Sequence, residues 1–462
     1  MKILLVNPPS ESVYKNSKVK AGVPCSPVLS LAAVAAPLTP NHDVKIFDGN
    51  IFENPYGKLK EEIINFLPDY LGVTITTPIY GEMKKITDMA KSINPGIITV
   101  VGGAHASSMP QDTLRADSLD IVVVGEGDFT FSEIVDAGGP EKVKGVFYKK
   151  DGEIIENPHR EQIKDLDALP FPAWELFDLQ KYSSGELLSR KTPSGWLETS
   201  RGCVFGCAYC NKSVFGRNFR VKSAERVIAE IEYMLHAGFK EIHIADDAFT
   251  TNIQRAKDIC AGIIKRGLVF PWAPVTGIRI DGVDGELLHL MKKAGCYRVY
   301  YGIESGNQEV LDNIQKGIEL EQVRKVVRMS KKEGLEVFGF FMIGLPGETE
   351  RSMRDTINFA KELNLDMAKM SITVPLPATR LYEELNRAGK IKTADWSKYN
   401  LYAIPKEIFD HPNLSWGVIE KYYRKFYLEF YFRPSFIFRY AFRSLKSGTI
   451  FRDIKYFLST KW

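Results

Sequence analysis

The sequence predicts an α/β protein with two successive units of alternating strands and helices. Three observations predict this class. A chain of 462 residues is long enough for two to four domains that each bury a core. Short β-rich apolar runs alternate with helical patterns in the first 140 residues, and the same alternation resumes at Trp196. Such alternation is typical of parallel sheets that are covered by helices.

The composition excludes several classes of protein. Hydrophobic residues make up 44% and charged residues 26%, the balance of a globular chain rather than a disordered or fibrous one. The net charge of +4 is too small to imply nucleic-acid binding by the whole molecule. The N-terminus lacks a signal-peptide core and cleavage site, and the longest apolar stretch, from Pro27 to Leu38, is too short to span a bilayer. We therefore expect a cytosolic protein.

The first unit is predicted over residues 1–140. Helical patterns near residues 28–38, 58–66, 82–93 and 129–137 separate five strands, KILLV, VKIF, YLGVTI, IITVV and DIVVV. This order predicts a doubly wound, Rossmann-like domain, in which ligands bind at the carboxyl ends of the strands. Residues 141–190 then lose this periodicity. Hairpin-like turn chemistry and a stretch rich in Pro and aromatic residues predict a linker that packs between the domains.

The second unit, predicted over residues 191–390, is a partial parallel barrel. Its strands are WLETS, EIHIAD, VTGIRID, YRVYYGI, VFGFFMI and MAKMSITV. A helical pattern follows each strand, and the first of these helices has an apolar stripe that ends at Gly238, a residue type typical of helix ends. Six such βα units predict a partial (βα)6 barrel, whose active site forms at the carboxyl ends of the strands.

Three of the six cysteines lie together directly after the first strand of this barrel. Cys203, Cys207 and Cys210 have the spacing C-x3-C-x2-C, which indicates a metal site in a reducing compartment. Structural zinc sites and electron-transfer iron–sulfur clusters take four ligands, and this loop supplies three. The alternatives are a zinc loop with a distant fourth ligand and a cubane cluster with one open iron. We favour the open cluster, because a parallel barrel places its chemistry at this position.

The sequence CVFGCAYC, with Tyr209 before the third cysteine, resembles the signature of the radical S-adenosylmethionine (SAM) enzymes. The segments ADDAFT, YYGIESGN and FFMIGLPGET, at the ends of predicted strands two, four and five, resemble the SAM-contacting strand ends of that family. The resemblance implies a 4Fe-4S cluster on the three cysteines, with SAM bound to its open iron. The implied SAM contacts are Asp246 and Asp247 near the amino group, Glu304 near the ribose, and the backbone of Ile343 and Gly344 near the adenine. Tyr209 is a further implied cofactor contact.

Each of these segments also has a structural interpretation. Asp246 and Asp247 could cap the following helix, Glu304 could be a rim residue, and GLPGE could form a turn. The occurrence of all three in the right order at strand ends favours the family interpretation. Arg279, at the end of predicted strand three, could pair with the SAM carboxylate through its planar guanidinium or form a surface ion pair.

The first unit resembles the cobalamin-binding domain that precedes the barrel in one subfamily of radical SAM enzymes. The resemblance rests on the order NPP, PCSPVLSLAAVAAPL, GVTITT, GGAHAS and GEGDFT. It implies cobalamin contacts at Gly102, Gly103, His105, Glu126 and Gly127, and the adjacent glycines permit close approach of the backbone. The D-x-H-x-x-G stretch that supplies an axial histidine in other cobalamin proteins is absent. His105 is therefore not assigned as the axial ligand, and the lower face of the cobalt stays open.

The resemblance implies a cobalamin-dependent radical SAM enzyme with a small-molecule substrate and an external electron donor, flavodoxin or ferredoxin. Members of this subfamily commonly use a 5′-deoxyadenosyl radical to abstract a substrate hydrogen, and methylcobalamin then donates a methyl group to the unactivated carbon. The alternatives are a non-methylating cyclase or rearrangement enzyme of the same subfamily, a cobalamin-binding sensor, and a ferredoxin-like carrier. The cysteine triad argues against the last two. No catalytic residue is assigned.

Residues 391–462 are predicted as a basic, aromatic and helical C-terminal region. From Glu420 onward the chain has ten Lys or Arg, three acidic residues and fifteen aromatic residues. One interpretation is an element that contacts a membrane surface and favours a lipid-like substrate. The other is a helix that packs its aromatics on the barrel and exposes its charges. The packed helix is favoured, and peripheral contact with a membrane is the second hypothesis.

Overall fold

The computed structural model describes residues 1–14, 25–182 and 189–447. Parts of the predicted N-terminal unit, linker and C-terminal region, residues 15–24, 183–188 and 448–462, lie outside the described residues. The first sheet is formed by β1 (Lys2–Asn7), β2 (Asp43–Asp48), β3 (Tyr70–Thr74), β4 (Ile98–Gly102), β5 (Ile121–Val123), β6 (Val146–Lys150) and β7 (Glu153–Glu156). In the described part of the chain these seven strands have the order β2-β1-β3-β4-β5-β6-β7. The first five are parallel.

Helices cover both faces of this sheet. They are α1 (Glu11–Tyr14), α2 (Leu29–Ala35), α3 (Pro55–Phe66), α4 (Tyr80–Ile93), α5 (Ala104–Ser108), α6 (Pro110–Leu114) and α7 (Thr130–Asp136). Successive side chains of a strand point to opposite faces, and accordingly Ile3 and Leu5 pack with α2 and α7, whereas Leu4 and Val6 pack with α3 and α4. The continuous apolar strands therefore reflect burial on both sides, as predicted for a doubly wound domain.

The segment predicted as a linker contributes to both units. The hairpin of β6 and β7 adds two antiparallel strands to the edge of the first sheet. Farther along, Trp174, Phe177 and Tyr182 are buried in the core of the second unit, and the Trp174 and Phe239 rings lie 5.2 Å apart. The aromatic residues of this segment thus fill a space between elements of the barrel.

The second unit is an open parallel barrel. Its strands are β8 (Ser194–Leu197), β11 (Glu241–Ile244), β12 (Trp272–Pro274), β13 (Arg298–Glu304), β14 (Glu336–Ile343) and β15 (Met367–Ile372), and the short pair β9 (Ser200–Arg201) and β10 (Arg220–Val221) brackets the cysteine loop. Between residues 194 and 372, all of which are described, six parallel strands follow one another in chain order. Two isolated parallel bridges connect this region to β13: Trp272 of β12 pairs with Cys296, and Ile278, beyond β12, pairs with Tyr301 of β13. The predicted six-unit barrel is confirmed.

The third barrel strand begins earlier than the sequence predicts. The strand was expected at VTGIRID, but β12 ends at Pro274, and the positive φ of 97° at Gly277 interrupts an extended course. Arg279 therefore lies beyond the strand and precedes a short 3₁₀ turn.

Apart from the last one, which packs with Trp396 and Tyr399 of the C-terminal region, the helices of the second unit pack on the outside of the barrel. They are α8 (Ala224–Ala237), α9 (Ile253–Lys265), α10 (Gly285–Lys293), α11 (Gln308–Asn313), α12 (Leu320–Lys332), α13 (Glu350–Glu362) and α14 (Arg380–Arg387). The Ser223 hydroxyl caps α8 by accepting a hydrogen bond from the Arg226 amide at 3.1 Å. Gly238 ends α8 with a φ of 109°, which confirms the predicted helix end.

The C-terminal region is helical, as predicted, with α15 (Trp416–Tyr431) and α16 (Pro434–Ser447). Helix α15 packs on β15, and Tyr422, Phe426 and Phe430 are buried there. The Tyr427 hydroxyl accepts from the Met370 amide at 3.2 Å and donates to the Met370 carbonyl at 3.0 Å. Tyr431 makes the same pair of bonds to Ala368. The aromatic residues of α15 thus cover the free edge of the barrel. No helix in the described ranges is long and apolar enough to cross a membrane.

Candidate active site

The carboxyl ends of the barrel strands bring the predicted SAM-site residues to one edge. The cysteine loop follows β9, Asp246 and Asp247 follow β11, Glu304 ends β13, and Ile343 ends β14. Residues that are far apart in sequence meet here because the strands are parallel.

The cysteine loop is braced by a lysine. The Lys212 ammonium donates to the Cys203 carbonyl at 2.6 Å and also to the Phe205 carbonyl. The Ala208 amide donates to the Ile314 carbonyl at 3.0 Å, which ties the loop to the end of α11. Gly202 has a φ of 80°, and a Cβ atom at this position would lie 2.3 Å from the Asn218 carbonyl oxygen. The chain itself therefore holds the thiols on a preformed loop.

The donor set fits a cluster better than a single metal ion. Cys203, Cys207 and Cys210 are free thiols. Structural zinc sites take four ligands, and this loop supplies three thiols. A cubane cluster instead spreads its thiolate ligands over separate iron atoms. Of the other cysteines, Cys260 and Cys296 are buried in the barrel core, and Cys25 Sγ lies 3.9 Å from the Asn50 carbonyl in the first unit, which leaves the triad as a three-thiolate set.

The two adjacent aspartates have different surroundings. Asp246 is buried, and its carboxylate accepts from the Thr199 amide and hydroxyl, each at 2.5 Å, and from the Ser200 hydroxyl at 2.6 Å. Burial raises the pKa of Asp246, and these donors oppose the rise. Asp247 is exposed. Asp246 thus anchors the strand end before the cysteine loop. Asp247 lies next to that loop, where partial burial of its carboxyl raises its pKa and the Gly202 amide opposes the rise.

Glu304 forms a buried ion pair that sequence reasoning missed. Its Oε1 lies 2.8 Å from Lys316 Nζ, and Lys316 Nζ lies 3.4 Å from the Tyr209 hydroxyl. A Cβ atom at Gly302 would lie 2.8 Å from Glu304 Oε1, so the glycine makes room for the pair. Glu304 has a positive φ of 66°, which is uncommon for a residue with a side chain. Burial, with Glu304 as the next cause, raises the pKa of Tyr209 well above its ordinary value.

Arg279 is engaged by the protein. Its guanidinium pairs with Asp281 at 2.8 and 2.9 Å and donates to the Lys316 carbonyl at 2.9 Å. The guanidinium carbon also lies 3.4 Å from the centroid of the Phe205 ring. The structure therefore contains the ion pair that the sequence allowed, and Arg279 links the cysteine loop to the segment that carries Lys316.

The predicted adenine loop is held by a buried acid. Gly344 has a φ of 78°, and its amide donates to Glu348 Oε2 at 2.6 Å, as does the Leu345 amide at 3.1 Å. Glu348 Oε1 is buried and has no hydrogen-bond partner among the described residues. Burial raises the pKa of Glu348 to about 7, because the charged form loses its hydration.

A cavity of about 350 Å³ lies between the first sheet and helices α2 and α7. Four of the five predicted cobalamin contacts line it, namely Gly102, Gly103, Glu126 and Gly127, together with Leu29, Val34, Gly72, Thr74, Phe131, Arg201 and Lys222. A Cβ atom at Gly72 would lie 2.6 Å from Phe131 and 2.8 Å from Leu5, so a larger residue would crowd this wall. An apolar space of this size fits part of a large cofactor.

His105 lies elsewhere. It does not line the cavity, and its ring contacts Tyr80 and Trp396 at centroid distances of 4.9 and 5.3 Å. Its Nδ1 is 3.1 Å from the Thr77 hydroxyl. Burial lowers the pKa of His105 to about 4, so the ring is neutral near pH 7. Its contacts are those of a core residue.

Buried charges join the cavity to the cysteine loop. Arg201, two residues before Cys203, pairs with Asp128 at 2.8 Å, Glu126 at 3.1 Å and Glu198 at 2.6 Å. Arg220 also pairs with Glu126 at 2.8 Å. Glu126 and Asp128 belong to the first unit, and both arginines belong to the second. The GEGD segment thus binds the barrel as well as lining the cavity.

Comparison with known proteins identifies both units. The model of the radical SAM superfamily matches residues 197–360, and that of the B12 binding domain matches residues 21–135. An uncharacterised methyltransferase of Pyrococcus horikoshii is 37% identical over 441 residues, which cover 94% of this chain and 93% of the relative. The chain belongs to the radical SAM superfamily.

The chain is also similar to a second curated protein and to a solved structure. An anaerobic magnesium-protoporphyrin IX monomethyl ester cyclase of Rubrivivax gelatinosus is 29% identical, over 83% of this chain and 70% of the relative. The structure of the cobalamin-dependent SAM radical enzyme OxsB with aqua-cobalamin covers 99% of this chain and 72% of that chain, with a TM-score of 0.73 and 20% identity. The OxsB likeness shows a shared fold.

The chain is therefore a cobalamin-dependent radical SAM enzyme whose cofactors are a 4Fe-4S cluster, SAM and cobalamin. This confirms the predicted family, fold class and cofactors. The supporting cations Lys212, Lys316 and Arg201 were not singled out from the sequence. A lysine and an arginine that flank a cysteine loop are a usable signal for two of them. Lys316 lacks such a signal, because its partner Glu304 is reached only through the fold.

Proposed function

We propose that the chain is a C-methyltransferase that transfers a methyl group to an unactivated carbon of a small-molecule substrate. The observation that carries this proposal is the contact between the two candidate cofactor sites. Arg201 precedes the cysteine loop and is ion-paired with Glu126 and Asp128 beside the glycine-lined cavity. A methyl group and a substrate radical must meet, and the contact between the two candidate cofactor sites supports this reaction.

The residues have distinct proposed roles. When bound, the reduced cluster and SAM supply a 5′-deoxyadenosyl radical, and cobalamin supplies the methyl group. Cys203, Cys207 and Cys210 hold the cluster, while Lys212 keeps their loop in place. Asp247 binds the SAM amino group, with Asp246 as its structural support.

The remaining contacts position the nucleoside and the corrinoid. Glu304, paired with Lys316 and next to Tyr209, orients the ribose, and the Ile343–Gly344 backbone contacts the adenine. Gly102, Gly103 and Gly127 contact cobalamin, and apolar walls such as Phe131 keep water from its pocket. His105 supports this unit from its core.

The relatives support methyl transfer over ring formation. The relative named as a methyltransferase is 37% identical over nearly the whole chain, whereas the cyclase is 29% identical over a smaller share. The cyclase likeness makes non-methylating radical chemistry the second candidate function. The two candidate functions differ in whether SAM is consumed as a methyl donor as well as a radical source.

The proposed partners follow from the electron balance. Each methyl transfer needs two electrons from outside the chain, one for cleavage of SAM to the radical and one to return cobalamin to the state that accepts the next methyl group, and we propose flavodoxin or ferredoxin as their source. A lipid-like substrate and peripheral contact with a membrane are further proposals, and the basic C-terminal region motivates both. The domain limits of residues 1–140, 141–190, 191–390 and 391–462 also stay proposals.

Anaerobic reconstitution with iron, sulfide and cobalamin tests the cofactor assignment. We expect one 4Fe-4S cluster and one cobalamin per chain, and a change in the electron paramagnetic resonance spectrum of the reduced cluster when SAM is added. The C203A/C207A/C210A variant should lose the cluster and retain cobalamin, whereas Cys25→Ala should keep both. Stoichiometric zinc in the wild type, or iron retained by the triple variant, would overturn the assignment.

A further inference from the structure

Helix α16 exposes an apolar stripe that contrasts with the buried aromatics of α15. Phe438, Phe442 and Leu445 are 76%, 72% and 65% exposed. Their spacing of four and three residues places them on one face of the helix, and Ile437 extends that face. The opposite side is packed, since Phe436 is buried against Phe430 and Tyr431.

Positive charge gathers beside this stripe. Lys331 donates to the Asn364 carbonyl at 2.5 Å, and Arg439 of α16 donates to the carbonyls of Asn364 and Leu365. Arg433, directly before α16, stacks on the Phe430 ring at 4.1 Å. Its guanidinium nitrogens have no hydrogen-bond partner within the described ranges.

The positive charge of this cluster is incompletely balanced. Burial lowers the pKa of Arg433 to about 10, and Arg439 lowers it further. Burial also lowers the pKa of Lys331; Asp366 opposes this effect, and Arg439 and Arg433 add to it. The segment from Glu420 to Trp462 has seven more basic than acidic residues, although the whole chain has a net charge of only +4. A surface that complements it must be anionic.

We propose that the face of α16 formed by Ile437, Phe438, Phe442 and Leu445, with the cations Lys331 and Arg439 near it, docks on an anionic phospholipid membrane; Arg433, whose guanidinium nitrogens are buried, is not part of this surface. The combination matches an interfacial helix, whose apolar side chains enter the headgroup boundary while neighbouring cations are attracted to lipid phosphates. An apolar protein surface without acidic groups would leave the positive charge beside the stripe unpaired.

The docking surface lies at the end of the barrel away from the cofactors. Asn364 and Leu365 precede β15 and therefore lie at the amino edge of the sheet, whereas the cysteine loop lies at the carboxyl edge. Docking would thus leave the cofactor edge free. The proposal does not depend on methyl transfer, and binding is measured without turnover.

Sedimentation of the full-length holoenzyme with vesicles tests the proposal. We expect binding to phosphatidylcholine vesicles that contain phosphatidylserine, little binding to pure phosphatidylcholine, and loss of binding at high salt. The F438S/F442S/L445S variant should bind at least tenfold more weakly. Arg439→Gln should reduce affinity about fivefold, the effect of one charge near an anionic surface. The matched control I64S/L67S removes two exposed apolar side chains from the N-terminal unit and should bind like the wild type.

Three outcomes would overturn the proposal. They are no binding to anionic vesicles, equal binding by the triple variant and the wild type, and loss of binding only when residues 448–462 are removed. Cobalamin content and circular dichroism of each variant must equal those of the wild type, so that a folding defect is not taken for lost binding. If the triple variant instead converts a dimer to a monomer and leaves vesicle binding unchanged, the stripe is an interface between two copies of the chain.

Discussion

Replacement of Arg201 by Met should strongly destabilise the junction between the two units. Arg201 is 4% exposed, and its guanidinium makes charge-assisted bonds of 2.6 to 3.1 Å to Glu198, Glu126 and Asp128. Removal of one partner from a buried ion pair costs about 3–5 kcal/mol, because the remaining charge stays buried without compensation. Glu126 keeps Arg220, so most of the cost falls on Asp128 and Glu198.

The expected loss can be measured by urea unfolding of the cofactor-free protein, followed by tryptophan fluorescence and circular dichroism. We expect the free energy of unfolding to fall by about 3–5 kcal/mol. Arg160→Met is the matched control, since Arg160 makes a two-pronged ion pair with the exposed Glu133. Its loss should cost at most about 1 kcal/mol. Equal losses in the two variants, or a loss below about 1 kcal/mol for Arg201→Met, would refute the assigned role of the buried network.

The same variant should show a distinct pH dependence. Burial alone would raise the pKa of Asp128, but the Arg201 guanidinium holds it below its ordinary value. Without Arg201, burial favours the protonated carboxyl, so Asp128 then destabilises the folded state as the pH rises. The stability difference between wild type and variant should therefore be largest near pH 7 and shrink toward pH 4. A difference that is constant with pH would contradict this electrostatic explanation.

Three further predictions concern the cavity, the barrel edge and the adenine loop. Gly102→Val should weaken cobalamin retention without loss of the cluster. A Cβ atom at Gly102 meets only Val123, at 3.8 Å, so the valine side chain fits and would fill the cavity. Gly103→Val should instead impair folding, since its Cβ atom would lie 2.5 Å from the Ile75 carbonyl oxygen. Tyr431→Phe removes two hydrogen bonds from β15 and should lower the free energy of unfolding in urea by about 1–3 kcal/mol, and an unchanged midpoint would contradict the edge-covering role. Glu348→Gln should remove a loss of stability that the wild type shows between about pH 4.5 and 7. In this range the folded protein, in which the pKa of Glu348 is raised to about 7, keeps the proton, whereas the unfolded chain releases it, so unfolding becomes more favourable as the pH rises. Parallel stability profiles for the two proteins would contradict the raised pKa.

Much of the fold could be predicted because its periodicity is local. Apolar runs such as Ile98–Gly102 are buried on both faces of a parallel sheet, which leaves a continuous signal in the sequence. The third barrel strand was displaced because Gly277 interrupts an apolar stretch that otherwise resembles a strand. The aromatic pattern of α15 could not reveal that Tyr427 and Tyr431 bind the backbone of an edge strand, since this depends on which strand lies next to the helix.

The residues of the site likewise divide into those that the sequence identifies and those whose role depends on the fold. The cysteine triad and the strand-end motifs are contiguous in sequence, so their residues could be named, and the fold brings them together. Asp246 accepts hydrogen bonds from Thr199 and Ser200, whereas Asp247 is exposed. This difference depends on residues that lie 45 or more positions away in the sequence. His105 stands beside the cavity-lining glycines in sequence, yet its helix turns it toward Trp396. The direction in which each side chain points, rather than its position in the sequence, decides these roles.

The most direct test of cobalamin-dependent methyl transfer is a labelling measurement with SAM that carries a deuterated methyl group. The reconstituted enzyme, a reductant and candidate cell extracts are incubated without oxygen, and the products are quantified by mass spectrometry. Each turnover should consume one SAM as methyl donor and one as radical source. The account therefore predicts equal amounts of S-adenosylhomocysteine, 5′-deoxyadenosine and a product with the intact deuterated methyl group on carbon. Formation of 5′-deoxyadenosine with an unlabelled product and without S-adenosylhomocysteine would contradict methyl transfer and favour the cyclase chemistry.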